Sequence, residues 1–199
     1  DGAFICQNSW GENFGENGFF YISYYDTNIG THNVVYTDIE NTDNYDHIYQ
    51  SDLCGWVGQL GYNKDSIYGA NVYTAEGNET LKAASFYATG KDSQYELYVV
   101  RQFEDETSLE KMIPVASGKL GNAGYYTVDF NQGIEVDAGE RYAVVLYIIT
   151  PGSVHPMAIE YAADEATENV DLDDGESYIS ANGSKWVSVD TVEKSNLCI

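Results

Sequence analysis

The residues of this chain that could do nucleophilic chemistry lie near its start. Cys6 is followed by the turn-forming segments Gln7-Asn8-Ser9-Trp10-Gly11 and Phe14-Gly15-Glu16-Asn17-Gly18-Phe19. A thiolate nucleophile needs a histidine that a third group holds in one tautomer and orientation. Cys6, however, ends the apolar run Ala3–Cys6, which predicts a buried strand, and buried thiols usually behave as small hydrophobes. The chemical interest therefore lies in the segment after Cys6, not in its thiol.

This segment resembles the region around the catalytic asparagine of papain-like cysteine peptidases. In that family Asn-Ser-Trp-Gly is followed, after two residues, by Trp-Gly-Glu-Asn-Gly-Tyr. The chain matches this pattern position for position, with Phe14 in place of Trp and Phe19 in place of Tyr. The resemblance implies that the side-chain carbonyl of Asn8 accepts a hydrogen bond from the catalytic imidazole. It also implies that the indole of Trp10 covers this pair and excludes water.

The other catalytic groups of such a peptidase are not expected within the chain. In the family the cysteine, the oxyanion-hole glutamine and the histidine all precede the asparagine, whereas only seven residues precede Asn8. The histidines His32, His47 and His155 all follow it. The resemblance therefore implies an upstream peptidase domain that carries Cys and His, a protein or peptide substrate and no required cofactor. The 199-residue chain alone is expected to be inactive.

Composition and periodicity predict a mainly β fold. Val, Ile, Thr and Tyr are concentrated in short runs between Gly, Asn and Asp clusters, and sustained helical periodicity is lacking. Strands are expected at residues 3–8, 18–25 and 32–38, and the resemblance implies that they belong to the β-rich half of the papain fold. Later strands are predicted at 70–74, 81–88, 95–101, 125–130, 142–149, 156–161, 177–180 and 185–189, with a hairpin turn at Asn182-Gly183.

These patterns predict three parts. Residues 1–40 are a remnant of the papain-fold β half, residues 41–65 are a linker that packs on its neighbours, and residues 66–199 form a jelly-roll-like antiparallel β-sandwich. The linker assignment depends on a shift to Asp, Asn, Tyr and Gly with broken alternation. Its aromatic residues are too many for a free tether. The sandwich is expected to fold without residues 1–38.

The second block also resembles the lectin-like domain that follows the peptidase in certain surface or secreted bacterial cysteine peptidases. The resemblance is carried by the segments Asn44–Gln50, Gly55-Trp56, Leu81–Tyr87 and Gly175–Ser180. It implies an accessory module of an extracellular or cell-surface endopeptidase. The alternative is a glycan- or cell-wall-binding sandwich without a catalytic role, in which the candidate sugar-contacting aromatic residues are Trp56, Tyr62, Tyr87, Tyr126 and Trp186.

The charge of the chain excludes some partners. It has 9 Lys and Arg against 32 Asp and Glu, which gives a formal net charge of -23. Such a charge repels nucleic acid and anionic membrane surfaces and suits a soluble protein outside the cell. The sequence lacks an apolar run long enough to span a bilayer. Carboxylates are also ligands for calcium, for which the closest-spaced candidates are Asp38, Glu40, Asp43, Asp46 and Asp52.

Overall fold

The computed structural model describes residues 2–31, 34–37 and 39–199. The chain divides into two compact units, Asp1–His47 and Ile48–Ile199. Each unit has its own hydrogen-bonded sheets, and each is described here by itself.

The first unit is built on an antiparallel hairpin of β1 (Ala3–Gln7) and β2 (Phe19–Ser23), in which Cys6 lies opposite Phe20. Both strands were predicted, with bounds one or two residues wider, and the structure confirms them. The third predicted strand, 32–38, is not borne out at residues 34–37, which lie outside any strand. Residues 32, 33 and 38 lie outside the described residues.

Many apolar side chains of this hairpin face solvent. Ile5 is 67% exposed, Tyr21 60% and Phe4 48%. Cys6 itself is half-buried, so the expectation of a buried strand is wrong. The physical reason is that, in the described part of this unit, the two strands form a sheet with no second layer over it.

The second unit is an antiparallel β-sandwich, which confirms the predicted fold class. Short 3₁₀ helices span Glu106–Glu110 and Val189–Thr191. The strands are β3 (Gly58–Leu60), β4 (Ser66–Thr74), β5 (Glu79–Ala88), β6 (Ser93–Val100), β7 (Ile113–Leu120), β8 (Gly124–Val136), β9 (Arg141–Ile149), β10 (Met157–Glu160), β11 (Ser177–Ser180), β12 (Val187–Ser188) and β13 (Asn196–Leu197).

These strands form sheets of six, three and two members. The largest has the order β12-β11-β4-β9-β6-β7, the second β13-β10-β3, and the third pairs β5 with β8. Most neighbours in these sheets are distant in the chain, as expected for a jelly-roll-like topology.

The main core lies between the six-stranded sheet and the smaller sheets. Leu97 and Leu146 of the large sheet pack in one cluster with Phe86 of β5 and Met157 of β10. A second cluster covers the opposite face of the large sheet, where Val145 and its neighbours meet Phe103 and Leu109 from the segment after β6. The large sheet is therefore buried on both faces near its centre, which explains its almost continuous apolar strand β9.

All eight strands predicted beyond residue 66 are present, together with three that were not predicted: β3, β7 and β13. Strand β7 contains Pro114 and Gly118, both of which weaken a strand prediction. It lies at the edge of the six-stranded sheet, where a missing N–H is tolerated.

Residues 48–65, assigned from the sequence to a linker, lie in the second unit. Strand β3 pairs with β10, and the carbonyl oxygen of Ser51 accepts a hydrogen bond from Asn196 Nδ2 at 2.6 Å. The backbone N–H of Cys54 donates to the carboxylate of Glu160, which is almost fully buried. This segment therefore supplies hydrogen-bond partners to buried polar groups of the sandwich.

Candidate functional site

The segment that carries Asn8 and Trp10 is a compact turn joining β1 to β2. The backbone N–H of Asn8 donates to the carbonyl of Gly18 at 2.9 Å. Within the turn, Gly18 N–H donates to Phe14 at 2.7 Å, and Phe14 N–H donates to Gly11 at 3.2 Å. These hydrogen bonds fix the backbone that carries Asn8 and Trp10.

The glycines of the turn are required by its backbone. Gly11, Gly15, Asn17 and Gly18 all have positive φ, at 83°, 56°, 54° and 88°. At Gly15 a Cβ atom would lie 2.2 Å from the carbonyl oxygen of Phe19, so no side chain fits there. Left-handed positions favour Gly and, after it, Asn, so the spacing of these residues in the sequence follows from the shape of the turn.

The side chain of Asn8 is half-buried, and its Oδ1 accepts the N–H of Ser9 at 2.8 Å. This bond holds the carboxamide in one orientation, with its oxygen toward the Ser9 N–H. A carbonyl oxygen has two lone pairs. Within the described part of the chain one of them serves Ser9, so Oδ1 can accept a second hydrogen bond from another donor.

Trp10 is 74% exposed and rests edge-on against an aromatic support. Its ring centroid lies 5.0 Å from that of Phe14, at an interplanar angle of 82°, and Phe14 lies 5.8 Å from Phe20 in a similar T-shaped contact. Edge-to-face pairs at these distances are favourable. Phe14, which stands in place of Trp in the family motif, is therefore the residue that supports Trp10.

The histidines of the chain are separate from this turn in the sequence. His155 precedes β10 in the second unit, and His47 ends the first unit. His32 lies outside the described residues. The structure thus brings Asn8 and Trp10 into one ordered turn, while the role of each side chain in catalysis stays a prediction.

A second polar site surrounds Asn196 in the sandwich. Its Nδ2 lies 2.6 Å from the carbonyl oxygen of Ser51, 3.1 Å from that of Asp171, 3.0 Å from Asp174 Oδ1 and 3.2 Å from Glu160 Oε1. An amide nitrogen has only two hydrogens, so four acceptors exceed what it can satisfy. Carboxylate and backbone carbonyl oxygens are also the kinds of ligand that calcium binds. No signal in the spacing of these residues indicated the site.

Asp38, one member of the acidic cluster predicted near residue 40, lies outside the described residues, so calcium binding by that cluster stays a prediction. Among the residues that the structure describes, no group of three or more His, Cys, Asp or Glu side chains is placed to hold a metal ion. Asp52 is buried instead, where it accepts a hydrogen bond from the Cys198 thiol, and burial raises the pKa of Asp52 to about 6. Burial likewise raises the pKa of the Cys198 thiol, so this thiol is not an activated nucleophile.

The aromatic residues considered for sugar binding fall into different environments. Tyr62 packs against the main core, and the indole N–H of Trp186 is buried without a hydrogen-bond partner. Tyr126 lies opposite the buried Phe86 and donates its hydroxyl to the carbonyl of Asn122 at 2.9 Å. The other two candidates for sugar binding, Trp56 and Tyr87, contact each other on the surface of the sandwich.

Across the described ranges, no helix has the length and apolar character needed to cross a bilayer.

Two solved structures of one protein are similar to this chain. One is a clostridial cysteine protease, Cwp84, after propeptide cleavage, with a TM-score of 0.79 and 23% identity over 98% of this chain and 50% of that chain. The other contains the cysteine protease and lectin-like domains of Cwp84, a surface layer associated protein of Clostridium difficile. Its TM-score is 0.66, with 23% identity over 98% of this chain and 44% of that chain.

The chain thus spans about half the length of the structures it matches. At 23% identity the likeness shows a shared fold. A search of curated proteins found no match.

One protein-family model matches the sequence, that of the lectin-like domain, and it covers residues 48–199. These bounds coincide with the second compact unit of the structure. Because the match covers more than half of the chain, the protein belongs to the lectin-like domain family.

Proposed function

We propose that the chain is the C-terminal portion of a papain-like cysteine endopeptidase, in which residues 1–47 complete the catalytic domain and residues 48–199 are its lectin-like accessory module. The observation that carries this proposal is the turn from Asn8 to Gly18. It presents a carboxamide oxygen that is oriented by Ser9 N–H and can still accept one hydrogen bond. Such an acceptor is what a catalytic imidazole requires from its third group.

The role of each residue follows from this geometry. Asn8 Oδ1 accepts the imidazole N–H, which fixes the tautomer so that the other ring nitrogen faces the thiol. Trp10, supported by Phe14, shields that hydrogen bond from water. Neither side chain reacts covalently. Both are positioning residues for a cysteine and a histidine supplied by the preceding part of the protein.

The exposed apolar side chains of the first unit support the same proposal. Phe4, Ile5 and Tyr21 on the hairpin are about half exposed or more, and Val34, Val35 and Tyr36 are each at least 75% exposed. A soluble protein rarely leaves so many apolar groups together in water. We infer that they pack against the upstream peptidase domain, which is the partner that this surface fits.

Location and substrate belong to the same proposal. A similar structure is described as a surface layer associated protein, and a net charge of -23 suits a protein exposed to water outside the cell. We propose that the parent protein acts on protein or peptide substrates at the cell surface or outside the cell.

We also propose that the site around Asn196 holds calcium in the folded sandwich. The supporting observation is that four oxygens, from residues 51, 160, 171 and 174, converge on the position of the Asn196 amide nitrogen, which a bound cation would displace. A bound cation would neutralise part of the charge of the buried Glu160, whose carboxylate accepts hydrogen bonds from the Cys54 N–H and Asn196 Nδ2 but has no positively charged partner among these contacts. Its contribution would be structural, since no step of the peptidase reaction needs it.

The peptidase proposal is tested by comparing the 199-residue chain with its full-length parent. We expect thiol-dependent cleavage of a peptide substrate by the parent and none by the chain alone, because the chain lacks the acyl-enzyme route. The Cys6→Ala variant of the parent serves as a control and should retain activity. A parent that folds but shows no activity sensitive to alkylation would contradict the proposal.

A further inference from the structure

Three aromatic rings form a continuous row on the outer face of the β5–β8 sheet. The ring centroids of Trp56 and Tyr87 are 6.0 Å apart, and those of Tyr87 and Tyr125 are 4.9 Å apart. Tyr125 is 55% exposed and Trp56 37% exposed. The two ends of the row are therefore open to solvent, while Tyr87 between them is partly buried.

Strand alternation explains why this face is open. In β5, Ala84, Phe86 and Ala88 are buried, so Ser85 and Tyr87 project to the opposite side. The register places Tyr87 opposite Tyr125 and Ser85 opposite Thr127. The next row of the same face is consequently polar, with the Ser85 and Thr127 hydroxyls 2.9 Å apart.

The aromatic row is held in place before any ligand arrives. The backbone N–H of Trp56 faces the Tyr87 hydroxyl and opposes the rise that burial causes in the pKa of Tyr87. Gly55, at φ 68°, lies so close to that hydroxyl that a Cβ atom would be 2.8 Å from it. Gly55 N–H in turn donates to the carbonyl of the buried Asp52 at 2.9 Å. Fixed rings lose little conformational freedom on binding, which favours affinity.

The aromatic residues on the outer face of the six-stranded sheet lack these properties. Tyr68 and Tyr147 stack on each other at 4.2 Å, so each covers one face of its neighbour. Trp186 contacts the Tyr68 ring from the side, and its own N–H is buried. On the β5–β8 sheet, in contrast, Tyr125 is 55% exposed and has only a tilted contact with Tyr87.

We propose that the surface formed by Trp56, Tyr87, Tyr125, Ser85 and Thr127 is a binding site for an uncharged saccharide chain. Aromatic rings offer apolar faces to the C–H faces of sugar rings, while the hydroxyl pair offers donors and acceptors to sugar hydroxyls. The charge of -23 selects against anionic polymers, which include nucleic acids and acidic glycans. This inference is independent of the peptidase proposal, because it uses only residues of the second unit.

The test is a titration of the 199-residue chain with neutral oligosaccharides, for which chitohexaose and cellohexaose are suitable probes, followed by tryptophan fluorescence and calorimetry. Heparin serves as the anionic comparison. We expect saturable binding of at least one neutral probe and none of heparin. Tyr125→Ala and Trp56→Ala should each weaken binding by about tenfold or more, since truncating aromatic anchors commonly has effects of this size.

Tyr24→Ala is the matched control, because Tyr24 is 57% exposed but lies in the first unit. It should leave the affinity unchanged. Failure of both neutral probes to bind, equal binding by the Tyr125→Ala variant, or binding of heparin alone would each overturn the proposal. So would sedimentation showing that the surface instead pairs two copies of the chain, with dimerisation abolished by Tyr125→Ala.

Discussion

Asn8 and Gly18 are joined across the β1–β2 turn by a backbone hydrogen bond of 2.9 Å from the Asn8 N–H to the Gly18 carbonyl. Gly18 is in the left-handed region, at φ 88°, and a Cβ on it would lie 3.3 Å from the Gly11 carbonyl oxygen. The position of the Asn8 carboxamide is therefore set by the backbone of a turn that tolerates few side chains. The glycines are needed for the shape of this turn, and the same shape places Asn8 for its proposed role.

The turn should be more sensitive at Gly15 than at Gly11. Gly15→Ala places a Cβ 2.2 Å from the Phe19 carbonyl oxygen, whereas Gly11→Ala meets no atom within 4 Å, and both residues have positive φ. We expect Gly11→Ala to destabilise the turn by about 1 kcal/mol from backbone strain alone. Gly15→Ala should have a larger effect. Amide hydrogen exchange at Asn8 and Glu16 measures the stability of the turn in each variant. Equal exchange rates in the two variants would contradict this prediction.

The second unit should fold independently from residue 48, not from residue 66. A fragment covering 66–199 loses the Cys54 N–H that bonds to Glu160, the Ser51 carbonyl that bonds to Asn196, and strand β3. Leaving buried polar groups without partners costs roughly 1–3 kcal/mol each. Urea unfolding of the two fragments decides: 48–199 should unfold cooperatively, and 66–199 should be markedly less stable. Equal midpoints would show that the segment is only a tether.

Asp52 should make the sandwich less stable as the pH rises. Burial raises its folded pKa from 3.8 to about 6, so between these values the folded state binds more protons than the unfolded chain. Stability is therefore lost as the pH rises from about 4 to 6. The titratable groups near Asp52 are Glu160, the Cys198 thiol and the hydroxyls of Tyr73 and Tyr87.

The Asp52→Asn variant isolates this effect, since it removes the charge but keeps an acceptor for the Cys198 thiol. Its free energy of unfolding relative to the unmodified chain should increase by roughly 2–3 kcal/mol between pH 4 and pH 7. Urea unfolding across this range, in excess chelator, provides the measurement. A difference that does not change with pH would mean that Asp52 titrates normally.

Calcium should raise the melting temperature of the chain through the Asn196 site. Binding to the folded state alone stabilises by about 2.7 kcal/mol at a hundredfold excess over Kd. Asp174→Ala removes one of the converging oxygens and should abolish most of the shift. Asp173→Ala is the control, because Asp173 pairs with Lys194 at 2.8 Å and does not face Asn196. Identical melting curves in calcium and chelator would contradict the proposal.

Much of the fold could be predicted because alternation and turn chemistry act locally. The apolar alternation of β6 and β9 and the Asn182-Gly183 turn, with Gly183 at φ 74°, led to the correct elements. Strand β7 was not predicted because proline and glycine, here Pro114 and Gly118, usually interrupt a strand, although a strand at the edge of a sheet accommodates them.

The polar sites were harder to predict because their members are distant in the chain. Asn196 meets residues 51, 160, 171 and 174, and no spacing in the sequence indicates that encounter. The aromatic row is similar: Trp56 was considered together with Tyr87, but Tyr125 joins them only through the β5–β8 register. The Asn8 turn, in contrast, is a local motif, and the positions of its glycines in the sequence indicate its shape.

The central claim, that Asn8 orients the histidine of a cysteine peptidase, is tested most directly by kinetics of Asn8→Ala in the full-length parent. Ser9→Ala is the matched control, because it keeps the backbone N–H that bonds to Asn8 Oδ1 at 2.8 Å. We expect Asn8→Ala to lower kcat by about tenfold or more, with KM and melting temperature little changed, since loss of an orienting group slows chemistry rather than binding. Unchanged kcat at an unchanged melting temperature would show that Asn8 only closes the turn.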